Sequence, residues 1–226
     1  MNMRDLPISE VHIPTGDDSL LGDLALPPAS RGLVLFAHGS GSGRHSARNR
    51  QVAQRLQQEG IATLLFDLLT VEEEKVDQST RQHRFDIALL TRRLEDVTAW
   101  AATQPELRDA PIGYFGASTG SAAALITAAR LGERVSAVVS RSGRPDLAGP
   151  AALAAVTAPT LLIVGGADHD VIDLNQEALA HLRSSKQLVL VPDAGHLFEE
   201  PGALEQVQDL AAAWFAKYLG SGKETT

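Results

Sequence analysis

Six short, nearly continuous apolar runs, GLVLFAHG, ATLLFD, PIGYFG, VSAVVS, TLLIVGG and QLVLVP, recur along the chain with helix-patterned stretches between them. Strands buried on both faces require such runs, and their alternation with helices gives a mostly parallel sheet, joined by right-handed crossovers and covered on both sides. The fold class is therefore α/β. Ahead of these runs, VHIPTGDDSLLGDLAL reads as two short strands around the turn TGDD, an N-terminal antiparallel hairpin closed off by Pro27 and Pro28. Helices are expected over about 46–59, 84–104, 119–131, 173–183 and 202–218. In the second of these, Ile87, Leu90, Leu94, Val97 and Ala101 form one apolar stripe. The long connection LLTVEEEKVDQSTRQHR, after the strand ending at Asp67, reads as a solvated acidic loop, the alternative being a flap over the active edge.

With 226 residues, 44% of them hydrophobic, the chain suits a single domain over residues 1–220, and the small polar end, 221–226, is expected to be disordered. A net charge of −8 without any Lys/Arg block speaks against a nucleic-acid partner. The absence of cysteine excludes disulfides, thiolate metal sites and a thiol nucleophile. The opening MNMRDLPISEVHIP lacks the apolar core of a signal peptide, and no apolar run reaches the roughly 18 residues that span a bilayer. The expectation is a soluble cytoplasmic protein, monomer or homodimer, with no membrane partner, cofactor or metal.

In such sheets ligands and catalytic groups collect at the carboxyl ends of the strands. One junction there stands out. YFGASTGSAAAL sets Ser118 between a strand and a helix, where side chains two residues either side would collide; Gly116 and Gly120 remove the collision, and Ser121, Ala122, Ala123 and Ala124 keep the helix thin. Strand, G-x-S-x-G, helix is the pattern of a nucleophile elbow, although a serine N-cap on an ordinary helix would read the same way.

A serine hydroxyl needs a base, and the base needs a carboxylate to orient it. Of seven histidines, His196 lies in the loop between the last strand and the last helix, whereas His12, His45, His83, His169 and His181 read as surface residues. His38 reads as a loop-fixing residue. TLLIVGGADHD offers Asp168 at the end of a buried strand, with Asp170 two residues on and Asp146 in reserve. The oxyanion of an acyl-transfer intermediate needs two amide donors, for which Thr119, just after the nucleophile, and Ser40, in FAHGSGSGRHS, are the candidates.

With these motifs, HGSGSG, GASTG, GGADHDV and AGHLFEEP in order, the chain resembles the α/β-hydrolase superfamily and in particular its dienelactone-hydrolase-like branch. The resemblance covers nearly the whole sequence. It implies a mainly parallel sheet of about eight strands, with Ser118 as nucleophile, Asp168 as acid and His196 as base. Two departures matter. Dienelactone hydrolases in the strict sense use a cysteine, which is absent, and about 20 residues between the strands ending near Ser140 and starting near Thr160 leave no room for a helical cap. SRSGRPDLAG in that interval resembles a segment of relatives fused to a phosphoribosyltransferase domain.

The activity expected is hydrolysis of small carboxylic esters, with short acyl chains because no apolar lid is visible. Acyl transfer or perhydrolysis would use the same acyl-enzyme, and a non-catalytic binding protein is the rival from another class. Arg141 and Arg144 lie at the productive edge and could read a substrate carboxylate or phosphate, or equally pair with a loop acid. A dinucleotide site is only imitated: the glycines at 39 and 41 require a third at 44, where Arg44 stands.

Overall fold

The computed structural model describes residues 6–220. The expected tail, 221–226, lies outside the described residues. Strands β1 (Ile8–Thr15), β2 (Asp18–Ala25), β3 (Leu33–Ala37), β4 (Ala62–Phe66), β5 (Ile112–Ala117), β6 (Val135–Arg141), β7 (Thr160–Gly165) and β8 (Lys186–Val191) form one sheet in the order β1-β2-β4-β3-β5-β6-β7-β8. The β1–β2 hairpin is antiparallel, β2 joins β4 antiparallel, and every later pairing is parallel. The carboxyl ends of β3 to β8 therefore share one edge.

Helices α1 (Ala47–Gln58) and α7 (Ala203–Leu219) cover one face, burying Val52, Leu56, Val207, Ala211 and Phe215 against Phe36, Phe115 and Val139. The other face carries α3 (Ile87–Ala101), α4 (Thr119–Leu131) and α6 (His169–His181). The stripe of α3 points inward as its spacing requires, with Leu94, Val97 and Ala101 fully buried. In α4, Ala122, Ala123 and Ala124 are all fully buried, so the helix lies directly on the sheet.

Two helices depart from expectation. The acidic connection is not a loop: Val71–Thr80 forms α2. Its Thr70 hydroxyl accepts from the Glu73 amide while the Glu73 carboxylate accepts from the Thr70 amide, a reciprocal cap that satisfies two orphan donors. Buried Asp77 then ties the far end down by accepting from the amides of His83 and Arg84 and from the Arg84 guanidinium. The second is α5 (Gly149–Ala155), which with a 3-10 turn at Pro145–Ala148 fills the interval between β6 and β7. No cap domain is inserted there. Helix α6 also begins four residues earlier than its pattern suggests, at His169. Among the described residues no helix is long and apolar enough to cross a membrane.

Candidate active site

Ser118 stands at φ 49°, ψ −122°, a left-handed conformation that costs an L-residue on the order of 1–3 kcal/mol. Its hydroxyl makes no capping hydrogen bond to α4, so the ordinary N-cap reading does not describe it. The turn is held on both sides by β6 and the loop after it: the Ser118 amide donates to the Arg141 carbonyl at 3.2 Å, and the Arg144 amide donates to the Ser118 carbonyl at 3.1 Å. The flanking glycines are required by contact. A methyl group at Gly116 would lie 2.5 Å from the Ser121 Cα, and one at Gly120 would fall on the carbonyl oxygens of Ala37 and His38. The second collision is with the neighbouring strand β3, not with β5 itself.

The structure brings Asp168 and His196 together. His196 Nδ1 is 2.7 Å from Asp168 Oδ2, and the Asp168 carboxylate, which makes no capping bond to α6, is left for this contact. Asp168 is largely buried at 15% side-chain exposure while His196 is 41% exposed, so the pair is rooted at the acid and open at the imidazole. The loop beneath His196 is fixed by buried Phe198 and by Glu200, which accepts from the Gly195 amide at 3.0 Å. Asp146 is occupied elsewhere, gripping Arg144 through both oxygens at 2.8 and 2.7 Å. Among the described residues no hydrogen bond joins Ser118 Oγ to His196; the two groups lie at the ends of parallel strands β5 and β8 on the same edge.

Neither candidate amide, Ser40 or Thr119, donates to a protein acceptor among the described residues. Gly39 brings the Ser40 loop against the serine, since a methyl group on it would lie 3.0 Å from the Ser118 Cβ. His38 fixes that loop. Its Nε2 accepts from the Leu68 amide and its Nδ1 donates to the Gly39 carbonyl, both at 2.9 Å, which uses both ring nitrogens in one neutral tautomer. Burial lowers its pKa, against the opposing pull of the Gly39 carbonyl, Asp67 and Glu74.

The two arginines differ. Arg144 is committed to Asp146. Arg141 is only 8% exposed, and its Nε and Nη1 are buried with no hydrogen-bond partner. Burial, and secondarily the charge of Arg48, lowers its pKa to about 10. Arg48 also has a buried Nε without a partner, and its nearest acid is Glu199 at 3.6 Å. Arg44, which occupies the place of the third glycine of a dinucleotide loop, is buried and paired with Glu10 at 2.9 Å.

The model of the alpha/beta hydrolase domain matches residues 30–217, which includes every residue described above as a site candidate. The chain belongs to the alpha/beta hydrolase family. A dienelactone hydrolase from Anabaena variabilis is 56% identical to this family member, with a TM-score of 0.92 over 94% of this chain and 98% of that one. Est1E from Butyrivibrio proteoclasticus shares the fold at a TM-score of 0.79 and 15% identity, over 94% and 99% of the two chains. A Mycobacterium tuberculosis protein named as a candidate phosphoribosyl transferase is 57% identical over 93% of this chain, which spans 46% of that protein, about half its length.

Sequence reasoning missed one support of the serine turn. Asn175 on α6, fully buried, donates from Nδ2 to the Gly143 carbonyl at 3.0 Å and so holds the loop whose next residue, Arg144, bonds Ser118. Nothing in the pattern of α6 marks this residue, because its role comes from a contact across the fold.

Proposed function

We propose that this alpha/beta hydrolase is a serine hydrolase that cleaves small carboxylic esters through an acyl-enzyme. The observation that carries the reading is Ser118: a strained serine at a strand end, flanked by glycines that nothing larger could replace, with its hydroxyl spared from capping the helix it precedes. Strain of this kind is retained where it exposes a reactive group.

Each step then has a residue. Asp168, bonded to Nδ1, fixes the tautomer of His196 and stabilises its charged form, leaving Nε2 to take the Ser118 proton. That contact is commonly long in an unliganded enzyme and tightens when substrate is bound. Ser118 Oγ attacks the ester carbonyl, and the amides of Thr119 and Ser40 hold the oxyanion; losing one such donor typically costs about 2.7–4 kcal/mol of barrier lowering. His196 returns the proton to the departing alcohol, and water repeats the sequence to free the acid. With an acyl acceptor other than water the same intermediate would serve acyl transfer.

Of the two candidate arginines, Arg141 rather than Arg144 has buried donors left unused, so it is assigned to a carboxylate or phosphate on the substrate, on the His196 side of Ser118. The name of the tuberculosis relative does not carry over. This chain matches half of that protein, and the half that it matches is the hydrolase half.

The test is labelling with a fluorophosphonate probe together with hydrolysis of short p-nitrophenyl esters. Wild type should label and turn over, and Ser118→Ala should do neither. Labelling that survives Ser118→Ala would remove the serine from the mechanism.

A further inference from the structure

Between the Ser40 and Thr119 amides and helix α2 lie two adjoining cavities, of which the chemistry above uses only those two amides. The inner one is narrow and is lined by Ser40, Thr119, Leu68, Leu90, Glu74 and Arg84. The outer one has a volume of about 590 Å³ and a polar wall that includes Asp67, Thr70, Gln78, Ser42 and Ser46. Both count His38, Gly41, Ser42, Leu69 and Glu74 in their walls, so the outer cavity continues the inner one away from the amides. Its size lies within the range of small-molecule sites, about 300–1,000 Å³.

Glu74 stands where the two meet. The other acids of α2 are engaged: Glu72 with Lys75, Glu73 with Thr70 and Arg93, Asp77 with Arg84. The half-buried Glu74 carboxylate makes no hydrogen bond or ion pair among the described residues. None of its charged neighbours bonds it. Lys75 faces Glu72, Arg84, which also lines the inner cavity, spends Nε and Nη2 on Asp77, Asp67 is itself an acid and accepts from the Arg44 amide, and His38 has both ring nitrogens in use. A carboxylate partly withdrawn from water accepts strongly from any donor that reaches it.

The strand order says which part of an ester would enter. His196 follows β8 and must deliver a proton to the leaving alcohol, so the alcohol lies toward β6–β8. The cavity lies over the ends of β3 and β4, on the opposite side of Ser118. The acyl arm is the part directed there.

We infer that this cavity is the acyl subsite and that it selects acyl arms bearing a hydroxyl or ammonium donor for Glu74, an assignment that rests on the serine-hydrolase reading. It extends the sequence-based expectation of short acyl chains, since a longer arm is accommodated if it is polar.

The experiment compares kcat/KM for p-nitrophenyl hexanoate and 6-hydroxyhexanoate in wild type, Ser118→Ala and Glu74→Leu. Wild type should prefer the hydroxyl arm to the methyl-ended arm by on the order of tenfold or more, as expected for a hydrogen bond to a charged group. In Glu74→Leu the ratio of hydroxyl to methyl arm should fall to about one. Saturation-transfer NMR with uncleavable N-methyl 6-hydroxyhexanamide gives a reading independent of turnover: binding kept in Ser118→Ala and lost in Glu74→Leu. Ser118-dependent hydrolysis without the hydroxyl preference, or amide binding indifferent to Glu74, overturns the subsite and leaves the serine intact. Hydrolysis that persists in Ser118→Ala instead overturns the reading on which it rests.

Discussion

The Ser118 amide donates to the Arg141 carbonyl at 3.2 Å, so the strained residue after β5 and the buried guanidinium at the end of β6 stand at adjoining strand ends. Among the described residues Arg141 has no acid partner, and an unpaired buried charge is kept at a cost in stability. Arg141→Met should therefore raise stability to urea by about 1 kcal/mol or more, while lowering kcat/KM at least tenfold for esters with an anionic alcohol group relative to neutral ones. An equal loss on both ester classes would leave Arg141 a packing residue.

The backbone of Ser118 makes a second demand. Glycine adopts φ 49° without the penalty that serine bears, so Ser118→Gly should be more stable than wild type by about 1 kcal/mol while losing fluorophosphonate labelling entirely. A variant less stable than wild type in equilibrium unfolding would mean that the turn is not strained.

Much of this was readable before any coordinates. The six apolar runs are strands because a residue pattern that hides both faces has few other uses, and the inward stripe of α3 follows from its spacing alone. Helix α2 was not readable from apolar periodicity, since Val71 and Val76 point outward at 52% and 44% exposure and the helix is held by polar contacts. Its Thr70-to-Glu73 spacing was the available signal. At the site, Ser118 announced itself through Gly116 and Gly120, although only the contact of Gly116, with Ser121, is local in sequence, that of Gly120 being with Ala37 and His38. Asp168 is preferred to Asp170 and Asp146 for its place nearest the strand end, and His196 Nδ1 meets it. The pairing of Asp146 with Arg144 depends on side-chain directions, which leave no trace in the order of residues.

Gly120 offers a sharper test of how the site is assembled. A methyl there would meet the backbone oxygens of Ala37 and His38, which cannot swing aside as a side chain would. Gly120→Ala should cost about 3 kcal/mol of stability, at the upper end for an overpacked position, and should displace the adjoining loop that carries Ser40. The variant is expected to retain its fold in far-UV circular dichroism at low temperature and to lose most ester turnover. Unchanged stability in urea would show that the strand and helix can separate more easily than their packing suggests.

The Asp77 clamp makes the hold on α2 depend on pH. Burial opposes charge on Asp77, but hydrogen bonds from the Arg84 and His83 amides and from the Arg84 guanidinium outweigh it and keep the carboxyl below its ordinary value of 3.8. The folded protein thus binds that proton less readily than the unfolded chain. The stabilisation is complete above the ordinary value and is lost as the pH falls through the lowered one. Asp77→Asn should melt a few degrees below wild type at pH 7. The gap should narrow between pH 4 and pH 2, and in wild type the His83 and Arg84 amides should lose protection from hydrogen exchange over the same interval. Melting curves for the two proteins that stay parallel down to pH 2 would show that the charge on Asp77 has no part in holding α2 against the wall of the cavity that it lines.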